Sequence, residues 1–322
     1  MKKVNLLNIE IDNLPKLELL EKLNSGVVFT TNVDHLIKLQ KDRDFVEAYN
    51  IADYKVCDSQ ILMYAAKFLG TPIKEKISGS DFFPNFYSYH KKNENIKIFL
   101  LGASQGIANQ AQENINSKIA RNIIVGAHSP SFGFETNEQE CQEIIDKINQ
   151  TDATVLAVGL GAPKQEKWIY KYKHKLSNIK IFLALGATID FEAGKLKRSP
   201  KWMSNLGLEW FHRLLCEPQR LWQRYLIDDL PFFWLLLKQK VFGNQANQKP
   251  NVKKQAELNN FSIDSHQERL QSINNLKRTE VKRSATWLKP TSAISLGINF
   301  RRSPQYKIEK NQPQFTHRFS YR

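Results

Sequence analysis

The segment "ATVLAVGLGAPKQEKWI", residues 153–169, decides the fold. Its first half is a near-continuous apolar run with valines among small residues. Such a run has no polar face, so it reads as a strand buried on both sides, as in a parallel sheet. Gly159 and Gly161 then allow close backbone approach, Pro163 suits the first position of a helix, and Lys164, Gln165 and Glu166 fall in the first helical turn. Strand, glycine turn and helix in succession are one half of a βαβ unit.

The same grammar recurs around it. Apolar runs at 26–32, 96–103, 122–129 and 179–191 alternate with helical patterns at 34–50, 61–69, 105–120, 137–150 and 163–175. The expected fold is α/β, a Rossmann-like parallel sheet core. Strands end in Thr31-Asn32, Gly102-Ala103-Ser104 and Gly161-Ala162-Pro163, just before helices. Ligands of such sheets sit at the carboxyl ends of the strands, where helix N-termini attract phosphate. A dinucleotide fingerprint is absent, because Lys164 stands where the last glycine of GxGxxG would be. No P-loop, GxSxG elbow or HExxH motif occurs.

Composition and charge divide the chain further. It has 322 residues, 41% hydrophobic and 25% charged. Residues 1–194 hold 23 basic and 23 acidic side chains, residues 195–244 hold 9 and 4, and residues 245–322 hold 15 and 5. A step of this kind suggests a neutral body, 1–194, with a basic contact for an anionic surface at its C-terminal end. Residues 195–244 read as a helical appendage, rich in tryptophan and arginine. Residues 245–322 are polar, basic and poor in apolar clusters, and are expected to be largely disordered. The three cysteines form no CxxC pair, which argues against a disulfide framework or zinc site and fits a reducing cytoplasm. The N-terminus is a poor signal peptide, and "PFFWLLL" at 231–237 is too short to span a membrane.

Several segments can carry chemistry. In "VCDSQ", Asp58 at a strand end either acts as a general base or caps the helix that follows. In "TTNVDHL", Thr30, Thr31 and Asn32 either bind a phosphate or sugar or form an ordinary strand-to-helix cap. In "SGSDFF", Gly79 and Ser80 can offer backbone N–H groups to a diphosphate and Asp81 can hold a sugar hydroxyl, or the segment is a capped turn. Gln165 and Glu166 can read a uracil or sugar edge. The histidines are scattered and no DxD pair suggests a metal.

Taken in order, "FTTNVDHL", "VCDSQIL", "SGSDFF", "IFLLGA", "VGLGAPKQEKWI", "LALGATIDFEAGKLKRSPKWM" and "LGLEWFHRLLCEPQRLWQRYL" resemble the WecG/TagA/CpsF family of bacterial glycosyltransferases, from about residue 5 to 243. The resemblance implies an inverting enzyme with no cofactor. It would move N-acetylmannosamine or a related hexosamine or uronic acid from a UDP-sugar to a polyprenyl-diphosphate-linked amino sugar, in cell-surface polysaccharide synthesis. It would work as a cytoplasmic protein, peripheral on the inner face of the membrane, and could self-associate. Carried over by residue, the base falls on Asp58, the strand-end threonine on Thr30 or Thr31, and the C-terminal arginines on Arg213, Arg220 and Arg224. Gly102, Gly161 and Gly186 lie in the matching glycine turns. Many members have Asp-Gly-x-Gly where this chain has Asp58-Ser59-Gln60, which leaves the donor sugar open. The arginines would grip diphosphate and the tryptophans the lipid headgroup level, with the basic tail adding roughly 1 kcal/mol per engaged cation. A nucleic-acid-binding protein, or a membrane scaffold that keeps the UDP-binding fold without catalysis, is the competing expectation. The neutral charge of the body that carries the motifs speaks against nucleic acid as a partner.

Overall fold

The structure, a computed structural model, describes residues 2–243. Expectations about the tail from 245 lie outside the described residues. Those described form one compact unit.

Two strands, β1 (Lys3–Leu6) and β2 (Ile9–Asp12), form an antiparallel hairpin. Six more, β3 (Gly26–Thr31), β4 (Tyr54–Cys57), β5 (Ile98–Gly102), β6 (Ile124–His128), β7 (Val155–Gly159) and β8 (Ile181–Ala184), build one parallel sheet in the order β4-β3-β8-β7-β5-β6. This is the expected α/β, Rossmann-like architecture. The segment that opened the sequence reading supplies β7, every residue of which is buried.

Alternation along each strand feeds two cores. Val28, Leu100, Ala157 and Leu183 face a cluster with Phe82, Phe83 and Phe86. Phe29, Leu101, Leu156 and Phe182 face the other side, with Phe45, Trp168 and Ile169. A third cluster joins the hairpin to helices Val33–Lys38 and Gln60–Phe68 and takes in Phe232 and Leu236 from the last described helix.

The helices depart from the sequence pattern where polar residues interrupt it. The span 34–50 is two helices, Val33–Lys38 and Arg43–Asn50, because the Asp42 side chain accepts from Phe45 N–H and starts a new helix. The run 179–191 stops being a strand at Ala184. Gly186 takes φ +59°, which favours glycine, and the chain turns into helix Thr188–Glu192. After residue 195 the chain forms helices Lys201–Asn205, Glu209–Cys216 and Pro218–Gln223, a π-helical turn Arg224–Asp228, and helix Pro231–Phe242. Gly207, at φ +78°, separates helix Lys201–Asn205 from helix Glu209–Cys216. No helix among the described residues is long and apolar enough to cross a membrane.

Candidate active site

The site opens at the carboxyl ends of β4, β3 and β8, where a doubly wound sheet offers its crevice. The register sets Thr31 opposite Cys57, and Asp58 N–H donates to the Thr31 carbonyl at 2.8 Å. Asp58 therefore stands beside the end of β3. It does not cap the next helix. Ser59 does, its side chain accepting from Ile61 N–H at 3.2 Å. The Asp58 carboxyl is left for the cleft.

Asn32 ties the two strand ends together. Its Oδ1 accepts from His35 N–H at 3.2 Å and so caps helix Val33–Lys38. Its side chain also hydrogen-bonds Asp58. Desolvation pushes the Asp58 pKa up to about 7. The nearby Glu209 charge adds to the rise, while Arg213, Lys76 and the Asn32 hydrogen bond oppose it. A carboxylate with this proton affinity is a competent base near neutral pH.

The C-terminal helices roof this floor and divide the cleft into two chambers. The larger, about 270 Å³, is lined by Asp58 and Lys76 from the floor, by Glu209 and Arg213 from the roof, and by Trp210, Leu226, Leu230 and Phe233. The smaller, about 110 Å³, is polar. Thr30, Gly79, Ser80, Gly161, Gln165, Gly186, Thr188 and Arg220 line it. Asn32, Asp58, Glu209, Arg213 and Arg224 face both. Burial opposes the charge on Arg213, but Tyr225, Glu209 and Asp58 around it raise its pKa overall. Arg224 Nη2 lies 3.4 Å from Asp34 Oδ2, and its Nε is buried without a partner. Arg220 is exposed and pairs with Glu217.

The strand pleat separates the two threonines. Thr30 faces the polar chamber and donates to the Ala184 carbonyl at 3.2 Å. Thr31 is fully buried on the opposite face, with its hydroxyl 2.5 Å from Tyr49 Oη. Gly79 is a close approach: a Cβ there would stand 2.9 Å from the Leu185 carbonyl oxygen. Gln165 is buried beneath the chamber, its Nε2 donating to Glu166 and its Oε1 accepting from Gly186 N–H at 3.0 Å.

Four other expected residues do not line either chamber. Asp81 is occupied by Ser78 and Arg198. Gly102, at φ +134°, packs against the Gly159 carbonyl, where a side chain would overlap it. Pro163, after a cis peptide bond, is the residue before helix Lys164–Tyr172 and not its first. Glu166 is wholly buried, 3.8 Å from His35 Nε2, and desolvation raises its pKa to about 7. Lys76, His35 and Glu209 are among the cleft-lining residues not singled out in the sequence. Lys76 and His35 carry no local signal. Glu209 stands four before Arg213 in a predicted helix, a spacing that places both on one face. Among the described residues no group of three or more His, Cys, Asp or Glu converges to hold a metal ion.

Known proteins share this sequence pattern. The chain is 28% identical over 216 residues to N-acetylglucosaminyldiphosphoundecaprenol N-acetyl-β-D-mannosaminyltransferase of Bacillus subtilis strain 168, covering 67% of this chain and 80% of that one. It is 25% identical over 240 residues to the protein of the same name from Staphylococcus aureus strain MRSA252, covering 72% and 90%. The family model for glycosyl transferases of the WecG/TagA/CpsF type matches residues 4–246. The match spans the sheet, both chambers and the helices that roof them, and the chain belongs to the WecG/TagA/CpsF family of glycosyltransferases.

Proposed function

We propose that this enzyme transfers N-acetylmannosamine from its UDP-activated form to an N-acetylglucosamine carried on a polyprenyl diphosphate, with inversion at the sugar C1. One observation carries the reading: Asp58, with its helix capped by another residue, faces both chambers at once. The names of the relatives supply the sugar and the acceptor class.

The nucleotide-sugar fits the polar chamber. Gly161 and Gly186 leave room for a diphosphate beside backbone N–H groups, and Arg213, Arg220 and Arg224 supply the positive charge that the leaving UDP requires. The acceptor fits the larger chamber, with its lipid leaving over Leu226, Leu230 and Phe233. Asp58 takes the proton of the acceptor hydroxyl. The oxygen forms its bond to C1 as the bond from C1 to the UDP oxygen breaks, and UDP departs with the electron pair. Such a substrate places the work at the inner membrane surface. Thirteen of the nineteen large apolar side chains that stand exposed among the described residues fall within 202–242, and an apolar surface of that density suits lipid.

The test is UDP release by the full-length protein, given UDP-N-acetylmannosamine and N-acetylglucosaminyl-diphosphoundecaprenol in anionic vesicles. Acceptor-dependent turnover is expected, and Asp58→Asn lowers it by about 10²–10⁴-fold. Equal turnover in the variant would leave Asp58 without a role.

A further inference from the structure

The C-terminal helices bring carboxylates into the cleft as well as cations: Asp229 lines the larger chamber and Glu209 lines both. Glu209 opens helix Glu209–Cys216 and lines both chambers, as Asp58 does. It is firmly held. Lys76 Nζ lies 3.7 Å from its Oε2. The Ser204 hydroxyl accepts from Lys76 at 2.9 Å and donates to Glu209 at 3.4 Å. Arg213, one turn further along the same helix, interacts with both Glu209 and Asp58. The four side chains come from three places: Asp58 from the end of β4, Lys76 from the loop before helix Gly79–Tyr89, and Glu209 and Arg213 from the roof. Asp58 and Lys76 balance in the floor and Glu209 and Arg213 in the roof, so the roof brings a cation to the cleft without changing the net charge of the cluster.

We propose that Glu209 is a positioning residue of the reaction, a second carboxylate that completes a four-charge cluster with Asp58, Lys76 and Arg213 and so sets the basicity of Asp58. The inference rests on the assignment of Asp58 as base. The groups that face Asp58 are Glu209 and Arg213 from the roof, Lys76 from the loop and Asn32 from the end of β3. Burial already disfavours the ionised Asp58, and of these groups only Glu209 is a like charge that adds to that effect. Without it, Arg213, Lys76 and the Asn32 hydrogen bond would offset more of the desolvation and leave Asp58 a weaker base. With it, the site keeps the positive charge needed for diphosphate and still has a base that accepts a proton.

The experiment is the pH dependence of kcat/KM for the full chain, with the donor and acceptor named above. In Glu209→Gln the acid limb is expected to move to lower pH, and the ratio of activity at pH 6 to activity at pH 8 rises by at least about threefold. Glu209→Asp restores the wild-type limb. Lys76→Met, which removes an opposing charge, moves the limb the other way and lowers the same ratio. A merely structural role predicts reduced rates with the limb unmoved in all three variants, and that result overturns the proposal. Asp58→Asn measured beside them separates the two assignments. Turnover retained there removes the base itself. Turnover lost there, with a limb indifferent to Glu209 and Lys76, removes only the role of Glu209.

Discussion

The body of residues 2–194 and the helices of 195–243 are built by different rules. Five helices of the body begin on a residue whose side chain accepts from the first turn: Asn32, Asp42, Ser59, Ser78 and Asn137. None of the helices after residue 195 has such a cap. The body buries its apolar side chains on both faces of the sheet, whereas the C-terminal helices leave most of theirs exposed. The body therefore fixes the floor of the cleft through local, short-range constraints. The roof depends on a few contacts distant in sequence. Phe232 is fully buried under the hairpin and Leu236 nearly so. Gln239 Oε1 accepts from Leu7 N–H at 2.9 Å, and its Nε2 donates to the Asn5 carbonyl at 3.2 Å. Arg224 reaches Asp34. The charges that the roof brings to the cleft are thus hung from a latch.

Breaking that latch has the largest expected effect on stability. Phe232→Ala removes a fully buried ring and costs about 3–5 kcal/mol. The loss should fall on the roof: limited proteolysis cuts within 195–243 first, while a fragment ending near residue 194 persists. Cleavage spread evenly over the chain would mean that the body and the roof unfold as one, and the contrast drawn above would fail.

The second prediction concerns the body alone. His35 and Glu166 are buried side by side behind the end of β3. Desolvation lowers the His35 pKa from 6.5 to about 3 and raises that of Glu166 from 4.5 to about 7. Between pH 4.5 and 6.5 the folded pair holds one proton, on Glu166. The unfolded pair also holds one, on His35. Equal proton counts give no slope in stability, so the pair is silent in this window. Each single variant exposes the other partner. In His35→Gln, Glu166 alone makes stability fall as pH rises from 4.5 to 7, because the folded state binds the extra proton. In Glu166→Gln, His35 alone makes stability rise as pH rises from 3 to 6.5, because the unfolded state does. Each slope reaches about 1.4 kcal/mol per pH unit. Denaturant titrations across pH 4–7.5 read both, and slopes of the same sign would refute the neutral pair.

How far the sequence discloses each region follows from the same contrast. The strands of the body were legible because burial on both faces leaves a continuous apolar run, as in Val155–Gly159. Asp58 was ambiguous because a strand-end carboxylate before a helix has two uses, and only the Ser59 hydrogen bond removes the cap. Thr30 and Thr31 are separated by the direction of the pleat, which depends on the register of β3 against β4. Asp81 looked like a ligand residue because nothing local reveals Arg198, 117 positions away. Glu166 sits in the most informative motif, yet it is buried beneath the chamber. The short hairpin β1–β2 and the helix Gly79–Tyr89, with Pro84 inside it, gave no strong periodic signal. Lys76 and His35 belong to the cleft through tertiary folding alone.

The smallest effect on stability, and the sharpest test of the roof, lies in helix Pro231–Phe242. Phe232, Leu236 and Gln239 face the body, while Trp234, Leu237 and Val241 stand 70%, 50% and 71% exposed on the other side. The helix is therefore apolar nearly all round, a pattern that normally means burial on every side. Its twelve residues span about 18 Å, well short of a bilayer's hydrocarbon core of about 30 Å. An interfacial position, with one face on protein and the other in lipid, satisfies both facts. Replacing Trp234, Leu237 and Val241 by serine should weaken sedimentation with phosphatidylglycerol vesicles at least about tenfold, since each large apolar side chain contributes more than about 1 kcal/mol on burial. Because these side chains touch little of the protein, the unfolding midpoint should stay near wild type, each change being worth within about 0.5 kcal/mol. High salt screens the basic residues and leaves the apolar term, so the wild type should retain part of its binding in salt and the triple variant almost none. Vesicle binding that survives the three changes, with a lowered unfolding midpoint, would mean that this face packs against protein, and the roof would then be closed by something other than lipid.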